Sequence, residues 1–268
     1  MEAAAYQYPI VIDNLSWSYG DKKILSNVHL KIERNRFYSI IGPNGSGKTT
    51  LLKNISKALE PRKNTVFVDK QDIASMKPRE MARKMANVPQ NTNIDFEFSA
   101  MDIVMMGRSP YFRRFQSESP RDVEIVKEAM LATSTWHLKD KNINEISGGE
   151  RQRVIVARAL AQQTDIILLD EPISQLDIHH QIELMDTVRK LVRESKVTVI
   201  AVLHDLNIAA QYSDSMILVH EGQVVLGGTP EQVLTEENIK RVYQLPVHII
   251  KNPVSGKPHV IPVPMERE

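Results

Sequence analysis

Between Gly42 and Thr49 the chain reads Gly42-Pro43-Asn44-Gly45-Ser46-Gly47-Lys48-Thr49, which fits the pattern G-x-x-x-x-G-K-[ST]. No other stretch constrains the fold as tightly, because the pattern works only where a strand runs into a glycine turn and then a helix. The flanks meet that condition. Phe37-Tyr38-Ser39-Ile40-Ile41 is aromatic and β-branched, as a buried strand is. Leu51, Leu52, Ile55, Ala58 and Leu59 then recur at helical spacing. Glycines let the backbone take positive φ and turn its N–H groups towards one point, and a helix N-terminus adds partial positive charge there. The product is a phosphate cradle. In it Lys48 reaches the β- and γ-phosphates of a nucleotide and the Thr49 hydroxyl sits on Mg²⁺.

Composition sets outer limits. The chain has 268 residues, 42% apolar and 25% charged, which gives ample material for a core. A net charge of +1 raises no strong field, so nucleic acid is not an expected partner. Without cysteine there are no disulfides and no thiolate metal sites. No apolar run approaches the roughly 18 residues of a membrane helix. Met1-Glu2-Ala3-Ala4-Ala5 lacks the features of a secretory signal. The expected protein is soluble and cytosolic, and reaches a membrane only through a partner.

The pattern of the chain predicts an α/β fold. Ile10, Ile12 and Leu15, then Val28, Leu30 and Ile32, alternate with polar residues as half-buried strands do, with Tyr19-Gly20-Asp21 as the turn between them. Thr65 to Val68 reads as a strand, and Pro78 to Met85 as a short helix that Asn87-Val88-Pro89-Gln90 leaves. From Asn91 to Gln163 helical spacing dominates. Val123, Val126, Ala129 and Met130 mark one amphipathic helix, and Val154, Ala157, Leu160 and Ala161 another. Within this stretch, the basic and aromatic run from Arg108 to Phe115 reads as a loop or exposed helix end. Alternation resumes with the strand Ile166 to Leu169, a helix from Ile182 to Val192 and a strand from Val197 to Leu203. A hairpin turns at Glu221-Gly222, a helix spans about Pro230 to Val242, and proline-broken extended segments follow. Neither an internal repeat nor a low-complexity segment is present.

Three further sites carry chemistry. Asp170-Glu171 ends a strand at the carboxyl edge of a sheet, where ligands of α/β proteins bind. There an aspartate can hold Mg²⁺ and a glutamate can polarise a water for attack on the γ-phosphate. Ser147-Gly148-Gly149-Glu150 has the serine and glutamate of a capping box at a helix start, and two glycines that bare an anion site. A chain with one complete phosphate loop needs no second, so this site is expected to face the nucleotide of another subunit. His204-Asp205 follows the next strand, which puts His204 near the phosphates.

In this order the motifs resemble the ATP-binding subunit of ABC transporters over nearly the whole chain. The phosphate loop (Gly42 to Thr49) is followed by Gln90 as the Q-loop glutamine, then the signature Ile146-Ser147-Gly148-Gly149-Glu150. Walker B (Ile166 to Asp170) with Glu171, the D-loop Ser174-Gln175-Leu176-Asp177 and the H-loop His204 complete the set. The signature has I-S-G-G-E where the family commonly has L-S-G-G-Q, and Gln175 stands where a small residue is frequent.

The resemblance implies a P-loop NTPase core with a small antiparallel β region and an inserted helical subdomain, all in one domain. Residues 1–90 and 164–228 form the core, 91–163 the insertion and 229–268 a C-terminal extension. It implies hydrolysis of ATP with Mg²⁺. The ATP-binding residues are then Tyr19 stacking on adenine (with Trp17 the competitor), Gly42, Pro43, Asn44, Gly45, Ser46, Gly47, Lys48, Thr49, Thr50 and Gln90. The metal side falls to Thr49, Gln90 and Asp170, and catalysis to Glu171 and His204. Ser147, Gly148, Gly149 and Asp177 would contact ATP held by a second copy in a head-to-tail dimer.

The resemblance also implies permease subunits as partners, with a solute-binding protein acting indirectly, and a place on the inner face of the cell membrane. Val104 to Tyr111 and the tail from Gly228 to Pro262 are similar to importers of iron–siderophores, haem and cobalamin. Importers of other metals or solutes, exporters and non-transport ATPases are the alternatives. The permease is expected to dock in a groove beside Gln90, against Arg108, Tyr111, Phe112 and Arg113.

Overall fold

The computed structural model describes residues 8–90, 96–113 and 117–264. They divide into two compact units. One comprises the described residues up to Met76 together with those from Ile200 onward, and the other is Lys77–Val199.

In the first unit the two alternating segments pair antiparallel as β1 (Ile10–Tyr19) and β2 (Lys22–Ile32), from Ile10↔Ile32 to Tyr19↔Lys22 with register shifts between Ile12 and Ser18. Their inward side chains, including Ile10, Ile12, Leu15, Leu25, Val28 and Ile32, are buried. With β4 (Val66–Val68) and β5 (Gln71–Asp72) they form a sheet in the order β2-β1-β4-β5. A second sheet is built on β3 (Phe37–Ile41), which lies parallel to β9 (Ser215–His220). β3 is buried along its whole length, which is why it reads as an unbroken apolar run. β9 turns into β10 (Gln223–Gly228) through Glu221 and Gly222, both at positive φ, the two-residue turn that matches strand twist. β8 (Thr198–Val202) lies on the other side of β3.

In the second unit β6 (Met85–Val88) and β7 (Ile166–Asp170) are parallel. The helices here are α2 (Pro78–Lys84), α3 (Ala100–Met105), α4 (Pro120–Ala132), α5 (Gly148–Ala161) and α6 (Ile178–Glu194). α1 (Lys48–Ile55), α7 (Leu206–Tyr212), α8 (Pro230–Val233) and α9 (Glu236–Tyr243) belong to the first unit. So does the hairpin of β11 (Val247–Lys251) and β12 (Pro258–Pro262).

Several expectations need correcting. The strand β6 was not expected, because four residues after a helix are too few to show a period. On α4 the buried face is Ile125, Val126, Ala129 and Met130, with Val123 exposed. α5 is buried nearly all round, Gln152 and Arg153 included, so it is not amphipathic. The tail helix is two helices, because Thr235 accepts from the Asn238 amide and starts a new one.

The largest correction concerns Arg108, which lies in a 3₁₀ helix (Met106–Tyr111) and is buried. Its guanidinium pairs with Asp122 at 3.0 Å, donates to the Ala161 carbonyl at 2.8 Å and lies 4.2 Å from the centre of the Tyr111 ring. The Tyr111 hydroxyl donates to the Gln162 carbonyl at 2.9 Å. A Cβ on Gly107 would meet the Arg158 carbonyl at 2.3 Å, so glycine is what lets this turn sit so close to α5. Arg108 thus ties the helices together and is not a partner-facing charge. Arg114 and Phe115 of the same run lie outside the described residues.

Candidate nucleotide site

In the first unit β3 delivers the chain to Gly42 and α1 carries it away from Gly47. Gly42 has φ +150, and a Cβ there would lie 2.0 Å from the Val219 carbonyl. Gly47 has φ +103, and a Cβ would crowd the Leu25 side chain at 2.9 Å. The loop is therefore pressed against β9 and β2 at two points where a side chain has no room. No side chain caps α1, which leaves its first-turn N–H groups without that partner. The Lys48 ammonium is buried and donates to the Gly42 and Pro43 carbonyls at 2.9 and 2.8 Å. The Ser46 hydroxyl is buried with no hydrogen-bond partner among the described residues. An uncapped helix start, a buried cation and an orphaned hydroxyl fit a phosphate chain. Thr49 and Thr50 stand in the first turn of α1, while Asn44 and Gly45 are exposed at the rim.

Two more predicted residues lie in this unit. Tyr19 is 48% exposed at the end of β1, and Trp17 meets it edge-on with ring centres 6.2 Å apart. The exposure of Tyr19 leaves ring surface available for stacking. The Leu203 N–H donates to the Ile40 carbonyl at 3.2 Å, so His204 and Gly42 leave neighbouring strands at the same edge.

The second unit holds the acidic pair and the signature. Asp170 is buried at the end of β7. Glu171 has φ +52, a left-handed backbone that costs a non-glycine residue energy and that clusters at functional sites. The Gln90 side-chain amide donates to the Glu171 carboxylate at 2.8 Å, and the Ser174 hydroxyl donates to the Glu171 carbonyl at 3.0 Å.

At the signature, Ser147 and Glu150 form the expected capping box. The Glu150 amide donates to the Ser147 hydroxyl at 3.2 Å, and the Ser147 amide donates to the Glu150 carboxylate at 2.8 Å. The Ser147 backbone amide and then its hydroxyl hold the Glu150 carboxyl below its ordinary range. The D-loop packs directly on the signature. A Cβ on Gly148 would lie 3.3 Å from the Gln175 side-chain oxygen, and one on Gly149 3.2 Å from Leu176. Asp177 caps α6 and pairs with His180 at 2.8 Å, and the His180 backbone amide is the first cause of its lowered pKa. Signature and D-loop together line a concavity of about 840 Å³ that also takes in Arg153 and His179.

Among the described residues no group of three or more His, Asp or Glu is placed to hold a metal ion. Asp170 and Thr49 each offer a hard oxygen, the donor type of Mg²⁺, which keeps its waters and binds through one or two protein oxygens plus substrate phosphates.

The family model described as ABC transporter matches residues 25–174, a span that contains the phosphate loop, the signature and the acidic pair. The chain belongs to the ABC transporter family. As a member of that family it is an ATPase whose turnover is coupled to transport. It is 39% identical over 251 residues to the ferric enterobactin transport ATP-binding protein FepC of Escherichia coli (strain K12), covering 94% of this chain and 93% of that one. To the petrobactin import ATP-binding protein FpuD of Bacillus anthracis it is 37% identical over 248 residues, covering 92% and 91%. A solved dimeric structure, the ATP-binding cassette MJ0796 in a post-hydrolysis state with ADP and Pi, superposes with a TM-score of 0.73 at 28% identity. It covers 82% of this chain and 98% of that one.

Sequence reading passed over one contact of the ABC phosphate loop. The Gly222 N–H donates to the Ser46 carbonyl at 3.0 Å and its carbonyl accepts from the Ser26 N–H at 2.9 Å, so the β9–β10 turn braces the loop from behind. Glu221-Gly222 is legible as a turn, but nothing local says what the turn touches.

Proposed function

We propose that this chain is the ATP-hydrolysing subunit that powers import of an iron–siderophore, haem or cobalamin-type ligand through a membrane permease. The observation that carries the cargo class is the relation to the ferric enterobactin protein along 94% of the chain. Among the described residues no helix is long and apolar enough to cross a membrane, so the transport path falls to partner subunits. The protein then sits on the inner face of the membrane, with a solute-binding protein delivering cargo on the other side.

The residues divide the work. Lys48 and the loop amides neutralise the β- and γ-phosphates, and Tyr19 stacks on the base. Thr49, Asp170 and Gln90 hold Mg²⁺, which supplies charge neutralisation at the phosphates when bound. Glu171 accepts the proton of the attacking water, and His204 contacts the γ-phosphate. Ser147, Gly148, Gly149 and Asp177 face the nucleotide of a second copy, so each reaction site needs two chains. The dimeric cassette MJ0796 supports that arrangement.

The test is reconstitution of the chain with its permease in vesicles, with uptake of a ferric siderophore, haem and cobalamin measured beside ATP hydrolysis. Uptake of one of the three that is lost with Lys48→Ala is the expected result. Hydrolysis that no permease stimulates would overturn the transport reading, and uptake of a free metal ion or another small solute alone would overturn the cargo.

A further inference from the structure

The C-terminal extension, from α8 to β12, carries none of the nucleotide motifs, yet it grips the helix that leaves one of them. Asn207 lies in the first turn of α7, three residues after His204. Its side-chain amide pairs with the backbone of Val260 in β12 through two hydrogen bonds. The Val260 N–H donates to Asn207 Oδ1 at 2.7 Å, and Asn207 Nδ2 donates to the Val260 carbonyl at 3.2 Å. Asn207 is also tied back towards His204, because its own N–H donates to the Asp205 carboxylate at 2.8 Å. Asp205 also accepts from the Ile208 N–H at 2.9 Å, which fixes the turn by which the chain leaves His204.

The extension is itself braced. The Ile249 N–H of β11 donates to the Glu236 carboxylate of α9 at 3.1 Å, and Val247 and Val260 are buried. Because the Leu203 N–H is bonded to the Ile40 carbonyl, the contact at Asn207 falls just past the ends of the neighbouring strands β8 and β3.

We infer that Asn207 is a positioning residue for ATP hydrolysis, setting the place of His204. This rests on the role given above to His204. An asparagine amide bonded on both edges to a strand backbone cannot rotate without losing both bonds, so α7 moves only as the β11–β12 hairpin moves. A shift of the helix start by a fraction of an ångström is felt at the γ-phosphate, where catalysis depends on alignment. Asn207 should therefore affect the reaction step through His204 and leave the binding of ATP largely unchanged.

The experiment is steady-state hydrolysis by the full chain over a range of ATP concentrations, with thermal unfolding and His204→Ala measured alongside. Asn207→Ala should lower kcat about tenfold with KM for ATP within about twofold. Asn207→Asp, which keeps the acceptor for the Val260 N–H, should recover part of that loss. In the double variant with His204→Ala, Asn207→Ala should cost nothing more. Wild-type kinetics in Asn207→Ala would overturn the inference, and so would a loss that follows only the folded fraction or a full further loss in the double variant. If His204→Ala itself hydrolyses at the wild-type rate, the role of His204 fails and Asn207 has no residue to position.

Discussion

Single side chains decide how the phosphate site works. Lys48 is a buried ammonium held by two loop carbonyls, so the loop already carries the charge that a phosphate needs. Lys48→Ala removes a charge-assisted contact worth about 1.5–3 kcal/mol, and ATP affinity measured by calorimetry should fall about 10- to 100-fold. Glu171→Gln should leave that affinity intact, cut hydrolysis about 10²- to 10⁴-fold and accumulate an ATP-bound dimer, because an amide cannot take the proton of water. Full turnover by that variant would remove Glu171 from the role of base. Glu150 is the unusual residue of the signature. Its carboxylate is kept charged by Ser147 and stands where the partner's phosphates are expected. Glu150→Gln keeps the capping box and removes the charge. ATP-driven dimerisation, followed by light scattering, should then tighten about threefold or more, most at low salt. Unchanged or weaker dimerisation would mean that the carboxylate does not face the partner's nucleotide.

Elements matter most in the helical part of the second unit. The 3₁₀ turn from Met106 to Tyr111 is bound to α4 and α5 by Arg108 through its pair with Asp122 and its bond to the Ala161 carbonyl. Both side chains of the pair are about nine-tenths buried, so removing one leaves a charge in a place where water cannot replace its partner. Asp122→Ala should therefore cost about 3 kcal/mol in urea unfolding. The Ser119 hydroxyl, and then Arg108, hold the Asp122 carboxyl below its ordinary range. A depressed carboxylate contributes stability that is complete above its unfolded value, about 3.9, and is lost as pH falls through the lower folded value. The wild-type urea midpoint should thus drop steeply below about pH 4, and Asp122→Asn should flatten that limb. An equally steep limb in the asparagine variant would assign the acid sensitivity to other carboxylates. This pair was not legible in the sequence. Arg108 stands in a run of basic and aromatic residues, and such runs are usually solvated. Its burial follows from Gly107, which lets the turn approach α5, and from an aspartate fourteen residues away.

For the whole molecule, catalysis by paired chains has a direct test. Lys48→Ala damages a phosphate loop and Ser147→Arg damages a signature. Neither chain alone should hydrolyse ATP well. A mixed dimer has one site with both lesions and one site with none, because the intact loop of one chain meets the intact signature of the other. Mixing the two variants should restore about a quarter of the wild-type rate, as half of randomly formed dimers carry one good site of two. No recovery on mixing, or full activity in monomers held apart by dilution, would refute the two-chain site.

The order of motifs along the chain was determined by the sequence alone. So were the strand, glycine turn and helix around Gly42 to Thr49, the capping box at Ser147 and the hairpin at Glu221-Gly222. Each depends on residues a few positions apart, and local geometry follows from local chemistry: glycine for positive φ, serine and glutamate for an N-cap, alternation for a strand. Tertiary structure alone decided which side chains those elements meet. Neither the burial of Arg108 against Asp122 nor the Gly222 amide behind Ser46 has a local signal. The same holds for Gln90 on Glu171, and for Asn207 joined to β12. These contacts span from about 14 to about 180 positions of sequence. Such partners are chosen by the packing of whole elements, whose free energy is shared over many residues and leaves no mark on any one of them.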